Sequence, residues 1–198
     1  IAKIILGIWK PTTGRVCIDG AELSQWDSER LGPHLGYLTQ DVELLPGIVA
    51  ENIARFRSEP SEGVVEAAKR AHAYEMILKL PQGFDTLLGE GGIQLSAGQA
   101  QRVGLARALF GHPRLIILDE PNANLDAEGE QALIETLLLL KQEQVTVVMI
   151  THKPSLVATL DYLMVIRDGK TELLGPCAEV LARLSGKTHQ TAAIRSIA

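Results

Sequence analysis

Two runs of the chain are almost wholly apolar and end at polar residues. RLIILDE occupies residues 114–120 and VTVVMITH occupies residues 145–152. Helical patterns flank both runs, and continuous apolar runs in that setting are typical of strands buried on both faces of a parallel sheet. An earlier run, LGYLTQDVELLPG at 35–47, predicts a strand that passes into a loop after Gln40. The pattern indicates an α/β nucleotide-type fold.

Helical periodicity dominates the middle of the chain. It predicts helices between about Ile48 and Leu80, and another from the turn LSAGQAQR (95–102) to about Phe110. We therefore expect an α/β core at about 1–45 and 111–177, an inserted helical subdomain at about 46–110, and a helical tail at 178–198.

The two ends of the core carry shorter elements. IAKIILGIWKP predicts the end of a helix stopped by Pro11, and TTGRVCIDG predicts a short strand closed by the turn Asp19-Gly20. LMVIRDGKTELLG predicts an antiparallel hairpin that turns at Asp168-Gly169. No internal repeat is visible, so the fold is not predicted to be a repeat array.

Composition and charge narrow the class of partner. The 198 residues are 46% hydrophobic and carry a formal net charge of -5, which argues against disorder and against broad binding to nucleic acid or to an anionic membrane surface. Cys17 and Cys177 are far apart and form no metal-binding pair. No apolar stretch reaches the roughly 18 residues that a spanning helix needs. Because Ile1 begins inside a helical pattern, we expect the chain to be a piece of a longer protein.

Two carboxylates follow the first buried run directly. Asp119 and Glu120 stand at the carboxyl end of a predicted parallel strand, where α/β folds bind ligands. Adjacent strand residues point to opposite sides, so the two acids can act differently. Asp119 can hold Mg²⁺ through water and Glu120 can polarise a water for attack on a γ-phosphate. The alternative at this point is that the pair only caps the turn before Pro121.

Two further polar residues follow strand ends. His152 ends the second buried run and can hydrogen-bond a phosphate oxygen. Gln40 leaves the LGYLTQ strand, and its amide can coordinate Mg²⁺ or orient water. Taken alone, each could equally be an ordinary surface residue.

The turn LSAGQAQR opens a helix with small residues. Ser96 can cap the helix, and Ala97 and Gly98 let backbone N–H groups approach an anion at the positive end of the helix dipole. An ordinary N-cap is the alternative reading of the same residues.

The motifs LTQ, LSAGQ, LIILDEP, NLD and ITH, in this order and spacing, resemble the nucleotide-binding domain of ATP-binding cassette (ABC) transporters over nearly the whole chain. The resemblance implies a P-loop NTPase of the ABC type, with a RecA-like parallel sheet, an antiparallel β portion and an inserted helical subdomain. It also implies ATP and Mg²⁺ as ligands. The residues that it assigns are the Q-loop Gln40, the signature residues Ser96, Gly98 and Gln99, the Walker B Asp119, the catalytic Glu120, the D-loop Asp126 and the switch His152.

In that family two domains enclose two ATP molecules, so the resemblance implies a homodimer in which the signature turn contacts ATP held by the other subunit. VELLPGIVAENIARF and GEGG are similar to exporters, and place Glu90 in a loop facing the membrane domain. LGIWKPTTGRVCIDGAELSQWD and DEPNANLD resemble bacterial type I secretion ATPases. The implied partners are a membrane-spanning domain upstream in the same chain, a periplasmic adaptor and an outer-membrane channel, at the cytoplasmic face of the bacterial inner membrane.

The sequence departs from the family pattern in three places. No G-x-x-x-x-G-K-[ST] motif is present, because SGKT at 185–188 lacks the first glycine and a preceding strand. IAKIILG resembles the helix after a Walker A loop, so we expect that loop upstream of Ile1 and expect residues 1–198 alone to be inactive. Ala97 and Ala100 replace the usual residues of the signature motif, and neither removes a catalytic atom.

Two other functions share these motifs. A soluble ABC ATPase of DNA repair or translation would keep the catalytic residues but lack the exporter-like motifs NIARF and GEGG between Gln40 and Ser96. A catalytically inactive cassette fragment would bind partners without turnover.

Overall fold

The computed structural model describes residues 1–57 and 61–185 of the chain. Its internal contacts divide the chain into two units, Ile1–Thr151 and His152–Ala198. The strands are β1 (Cys17–Ile18), β2 (Ala21–Glu22), β3 (Leu35–Leu38), β4 (Gly47–Ile48), β5 (Leu87–Leu88), β6 (Leu115–Asp119), β7 (Thr146–Ile150), β8 (Tyr162–Arg167) and β9 (Lys170–Pro176). The helices are α1 (Ala2–Ile5), α2 (Ser28–Leu31), α3 (Val49–Ile53), α4 (Ser61–Arg70), α5 (Tyr74–Leu78), α6 (Ala97–Leu109), α7 (Ala127–Gln142) and α8 (Pro154–Val157).

Three parallel strands form the centre of the first unit, in the order β3-β6-β7. Leu38 is paired with Leu118, and Asp119 is paired with Ile150. The α/β fold predicted from the apolar runs is therefore confirmed. The two apolar runs are buried to different extents. In the central strand β6, Ile116, Ile117 and Leu118 are fully buried, whereas the strand β7 is only partly buried.

Helix α6 lies directly against β3. A Cβ on Gly36 would stand 2.3 Å from the carbonyl oxygen of Ala108, and a Cβ on Gly104 would stand 2.7 Å from the side chain of Val42. Glycine is needed at both positions because any side chain would push helix and strand apart. On its other sides α6 contacts α3 and α4, so the helix that begins at the signature turn sits in the core.

The helical middle and the N-terminal helix differ from the predicted pattern. The helical pattern between Ser61 and Leu80 forms two helices, α4 and α5, instead of one. The break occurs where His72 adopts a left-handed backbone with φ of 50°. The expectation that the first helix continues to Pro11 was wrong. Helix α1 ends at Ile5 because Gly7, with φ of 73°, turns the chain away.

The predicted turn at Asp19-Gly20 and the predicted hairpin at Asp168-Gly169 are both present. β1 and β2 pair antiparallel across Asp19-Gly20, and in the second unit β8 and β9 pair antiparallel across Asp168-Gly169. Both turn residues in each hairpin have positive φ, which favours Asp and Gly there. In the second unit residues 177–185 are helical. The remainder of the expected tail, with most of SGKT, lies outside the described residues.

Candidate functional site

The two carboxylates stand where β6 ends. Asp119 is the last residue of the strand and Glu120 follows it with a left-handed backbone, φ of 48°. The Glu120 N–H donates to the carbonyl of Ile150 at 2.9 Å, and the Glu120 carbonyl accepts from Ala123 N–H at 3.1 Å. The chain therefore turns sharply at Glu120 while its backbone stays bonded to the sheet. A non-glycine residue in this conformation is uncommon and costs free energy, which is typical of functional sites.

Gln40 lies at the same edge of the sheet. It follows β3 by two residues, and the last residue of β3, Leu38, is paired with Leu118, two residues before Glu120. On β3, the pKa of Tyr37 is raised by burial and, to a smaller extent, by the negative charge of Asp119. Gln40, Asp119 and Glu120 thus all lie at the carboxyl end of the parallel sheet, and we call them the sheet-edge group.

The turn at Ser96 is a capping box. The Gln99 N–H donates to the Ser96 hydroxyl at 3.3 Å, and the Ser96 N–H donates to the Gln99 side-chain oxygen at 2.9 Å. Ser96 therefore acts as a helix N-cap, as one of the two interpretations of this turn predicted. Ala97 is the first residue of α6 and has helical geometry, so the methyl group that it adds meets no left-handed backbone.

The loop after Glu120 is fixed to the same turn. The side chain of Gln101, which is 1% exposed, donates to the carbonyl of Pro121 at 3.0 Å and accepts from the Asn124 side chain at 3.1 Å. A Cβ on Gly98 would stand 2.9 Å from the carbonyl oxygen of Asn124. Gly98 therefore permits a close approach between the signature turn and loop 121–126.

Asp126 ends this loop and begins the next helix. Its carboxylate accepts from Gly129 N–H at 2.8 Å as the N-cap of α7, and it lies 3.5 Å from the Arg102 guanidinium. The hydroxyl of Thr151 donates to the Asn122 side chain at 3.1 Å. Side chains from α6, the loop and the residue after β7 thus hold loop 121–126 in place.

The sequence-predicted residues of the first unit fall into two groups. Ser96, Gly98, Gln99 and Asp126 line one groove of about 1230 Å³ between α5, α6 and α7. Gln40, Asp119 and Glu120 lie instead at the sheet edge. His152 is exposed, follows β7 by two residues and is the first residue of the second unit.

Sequence reasoning missed the residues that hold the loop after Gln40. Asn52 is fully buried, and its side chain accepts from Leu45 N–H and donates to the carbonyls of Leu45 and Ile48. From α6, Arg107 donates to the carbonyl of Glu43 at 3.0 Å. A polar residue inside the apolar pattern of a short helix was the available signal for Asn52.

Arg55 joins this network to the core. Its guanidinium donates to five carbonyls, those of Gly32, Leu35, Arg107, Ala108 and Phe110, at 3.0–3.4 Å. Burial, with the nearby charges of Arg57 and Arg107, lowers the pKa of Arg55 to about 10. The side chain therefore remains cationic at neutral pH, and it links the start of β3 to the end of α6.

The donor set at the sheet edge fits Mg²⁺ bound with a nucleotide. Among the residues that the structure describes, no three His, Cys, Asp or Glu side chains are grouped as a metal site. Mg²⁺ in nucleotide enzymes is commonly held by one or two protein oxygens together with phosphates and water. One carboxylate from Asp119 and one amide oxygen from Gln40 match that requirement.

Within the described residues, the helices are too short or too polar to cross a bilayer.

Comparison with known proteins identifies one matching family model and several relatives of similar sequence. Residues 1–123 match the family model of the ABC transporter. The chain is 50% identical over 185 residues to a type I secretion system ATP-binding protein, PrsD, of Rhizobium meliloti (strain 1021), covering 93% of this chain and 32% of that protein. It is 37% identical over 188 residues to an ATP-dependent lipid A-core flippase of Methylococcus capsulatus (strain ATCC 33009 / NCIMB 11132 / Bath), covering 94% and 31%.

A solved structure has the same fold. The chain superimposes on a bacterial Atm1-family ABC exporter with ATP bound with a TM-score of 0.82 and 32% identity, over 92% of this chain and 32% of that chain. The chain thus spans about a third of the length of these relatives.

Proposed function

The chain belongs to the ABC transporter family, and we propose that it binds and hydrolyses ATP to power the export of proteins or peptides by a bacterial type I secretion exporter. The observation that carries the proposal is the position of Glu120, beside Asp119 at the end of a buried strand and in a strained left-handed backbone. The 50% identity to a type I secretion protein, against 37% to a lipid flippase, favours protein export.

In the proposed reaction, Glu120 accepts the proton of the water that attacks the γ-phosphate. Asp119 and Gln40 hold Mg²⁺, which neutralises charge on the phosphates when bound. His152 donates a hydrogen bond to the γ-phosphate. Such preorganised donors typically contribute several kcal/mol to the lowering of the barrier.

Each site is proposed to be completed by a second copy. Ser96, Gly98, Gln99 and Asp126 line a groove that does not include the sheet-edge group. This separation supports a homodimer in which the groove residues of one chain contact ATP held by the other. The first N–H groups of α6 then face the γ-phosphate at the positive end of the helix.

A membrane-spanning domain in the same protein is the second proposed partner. Leu45, Phe56 and Leu87 are 54%, 48% and 43% exposed. Leu87 belongs to β5 and is paired with Ile48 of β4. Leu45 lies two residues before β4, and a Cβ built on Gly47 would stand 3.1 Å from the Phe56 ring. We call these three residues the loop patch. Exposed apolar side chains clustered at a loop are typical of interaction sites, and Glu90 lies shortly after the patch in sequence.

The patch favours an exporter over a soluble ABC ATPase of DNA repair or translation. By the same proposal the domain acts at the cytoplasmic face of the bacterial inner membrane, with a periplasmic adaptor and an outer-membrane channel as further partners. The division into a core at about 1–45 and 111–177 and a helical subdomain at about 46–110 stays a prediction.

The substitution Glu120→Gln in the full-length protein tests the proposal. It removes the base but keeps the shape of the side chain, so we expect ATP turnover to fall by about 10²–10⁴-fold while ATP binding remains and the ATP-bound dimer accumulates. Phosphate release and size-exclusion chromatography with ATP measure the two effects. Glu29→Gln, at an exposed acid on α2, is the matched control. Unchanged turnover in Glu120→Gln would remove Glu120 from this role, and no turnover in the unaltered protein would favour the inactive fragment.

A further inference from the structure

Arg70 connects three helices that the proposed site depends on. It is the last residue of α4, and its side chain is 9% exposed. One guanidinium nitrogen donates to the carbonyl of Leu109, the last residue of α6, at 3.3 Å, and another contacts the carboxylate of Glu143, which follows α7. The hydroxyl of Thr136, in the middle of α7, donates to the Arg70 carbonyl at 3.0 Å. We call these contacts the Arg70 joint.

The contacts of Arg70 are better explained by a role in orienting helices than by a contribution to the stability of the fold. The Arg70 Nε is buried and has no hydrogen-bond partner among the residues that the structure describes, which costs free energy. Apolar residues of similar volume in place of a buried ion pair are often neutral or stabilising. The presence of Arg70 is better explained by the specific arrangement that its planar guanidinium imposes on α6 and Glu143.

The position of the joint relates it to the signature turn. Helix α6 has 13 residues and is therefore about 20 Å long. Its second turn is fastened to loop 121–126 through Gln101 and Arg102, and the joint fastens its last residue to α7. The angle between α6 and α7 is thus fixed at both ends, and this angle sets where Ser96 lies relative to Asp126.

We propose that Arg70 is a positioning residue that orients the signature turn toward ATP held by the second copy; this role rests on the proposed function above. The joint touches neither Gln40, Asp119 nor Glu120. Losing it makes closure of the dimer on ATP less favourable, and high ATP concentrations offset that loss by mass action. The chemical step after closure is unchanged, so KM and kcat separate.

The test measures ATP hydrolysis by the full-length protein as a function of ATP concentration. We expect Arg70→Met to raise KM about tenfold with kcat within about twofold of the unaltered protein. Arg70→Lys, which keeps the charge but loses the planar fork, should raise KM less. Arg30→Met, at an exposed arginine on α2, is the matched control and should leave both constants unchanged.

A double variant separates positioning from folding. Arg70→Met with Glu143→Met removes both charges, so the unfolding midpoint should return close to that of the unaltered protein, while KM stays raised. A KM that recovers with stability would show a merely structural role and overturn the proposal. An unchanged KM in Arg70→Met would also overturn it while leaving the proposed function intact. Absence of turnover in the unaltered protein would contradict the proposed function and this role together.

Discussion

At the scale of the residue, Gln101 combines a buried position with a polar side chain. Its amide bonds the carbonyl of Pro121 and the side chain of Asn124, so it fixes loop 121–126 against α6. Replacing it by leucine leaves the carbonyl of the buried Pro121 without this hydrogen bond. We expect Gln101→Leu to lower the free energy of unfolding by about 1–3 kcal/mol, measured by urea denaturation of the chain.

The matched control for Gln101 is Gln131→Leu. Gln131 is exposed and its side chain donates to Glu135 one turn later on the same helix, so its replacement should change stability by no more than about 0.5 kcal/mol. Equal losses in the two variants would contradict the bracing role of Gln101.

The sequence predicts where the catalytic candidates stand but not their conformations. Asp119 and Glu120 follow an apolar run, so their place at a strand end follows from hydrophobic patterning. The left-handed backbone of Glu120 could not be predicted, because it is imposed by its bond to Ile150 on the neighbouring strand. Gln101 was also missed, since its burial depends on a loop twenty residues away.

At the scale of the element, the junction between β3 and α6 depends on one arginine. Arg55 donates to five carbonyls that belong to the start of β3 and the end of α6. Hydrogen bonds from a charged group are individually strong, and these acceptors have little water nearby. We expect Arg55→Met to lower the free energy of unfolding by about 2–4 kcal/mol, measured by denaturant titration.

Arg57 supplies the comparison for Arg55. It is exposed and two residues away, and its charge disfavours the charged form of Arg55. Arg57→Met should therefore be neutral, within about 0.5 kcal/mol, or slightly stabilising. A loss of stability as large as that of Arg55→Met would show that local charge, rather than the five acceptors, carries the effect.

The elements themselves were predicted where one local signal decides them. Helix α6 begins at the expected cap because Ser96 and Gln99 bond each other, and both hairpins turn at Asp-Gly. The break between α4 and α5 was not predicted, because His72 carries no turn signal. There the contacts of Arg70 and Thr136 with neighbouring helices outweigh local preference.

At the scale of the whole molecule, residues 1–198 carry no phosphate-binding loop of the G-x-x-x-x-G-K-[ST] type. The chain also has a net charge of -5, which gives ATP no general attraction. We expect residues 1–198 alone to bind ATP more weakly than about 1 mM and not to hydrolyse it. Equilibrium binding of radiolabelled ATP measures this directly, and saturable binding at micromolar nucleotide would contradict it.

The second copy proposed above could be anticipated from the sequence only through the family resemblance. Hydrophobic patterning places the sheet-edge group, but it does not show that Ser96 and Asp126 line a different groove. That separation arises from how α5, α6 and α7 pack, which depends on contacts between residues far apart in sequence.

The left-handed backbone at Glu120 also bears on how this domain can change over evolutionary time. A side chain in that region pays a steric cost that glycine does not pay. A glycine at this position would relieve the strain and would also remove the proposed base. Under the proposed function, folding stability and ATP turnover therefore make opposite demands on this one position.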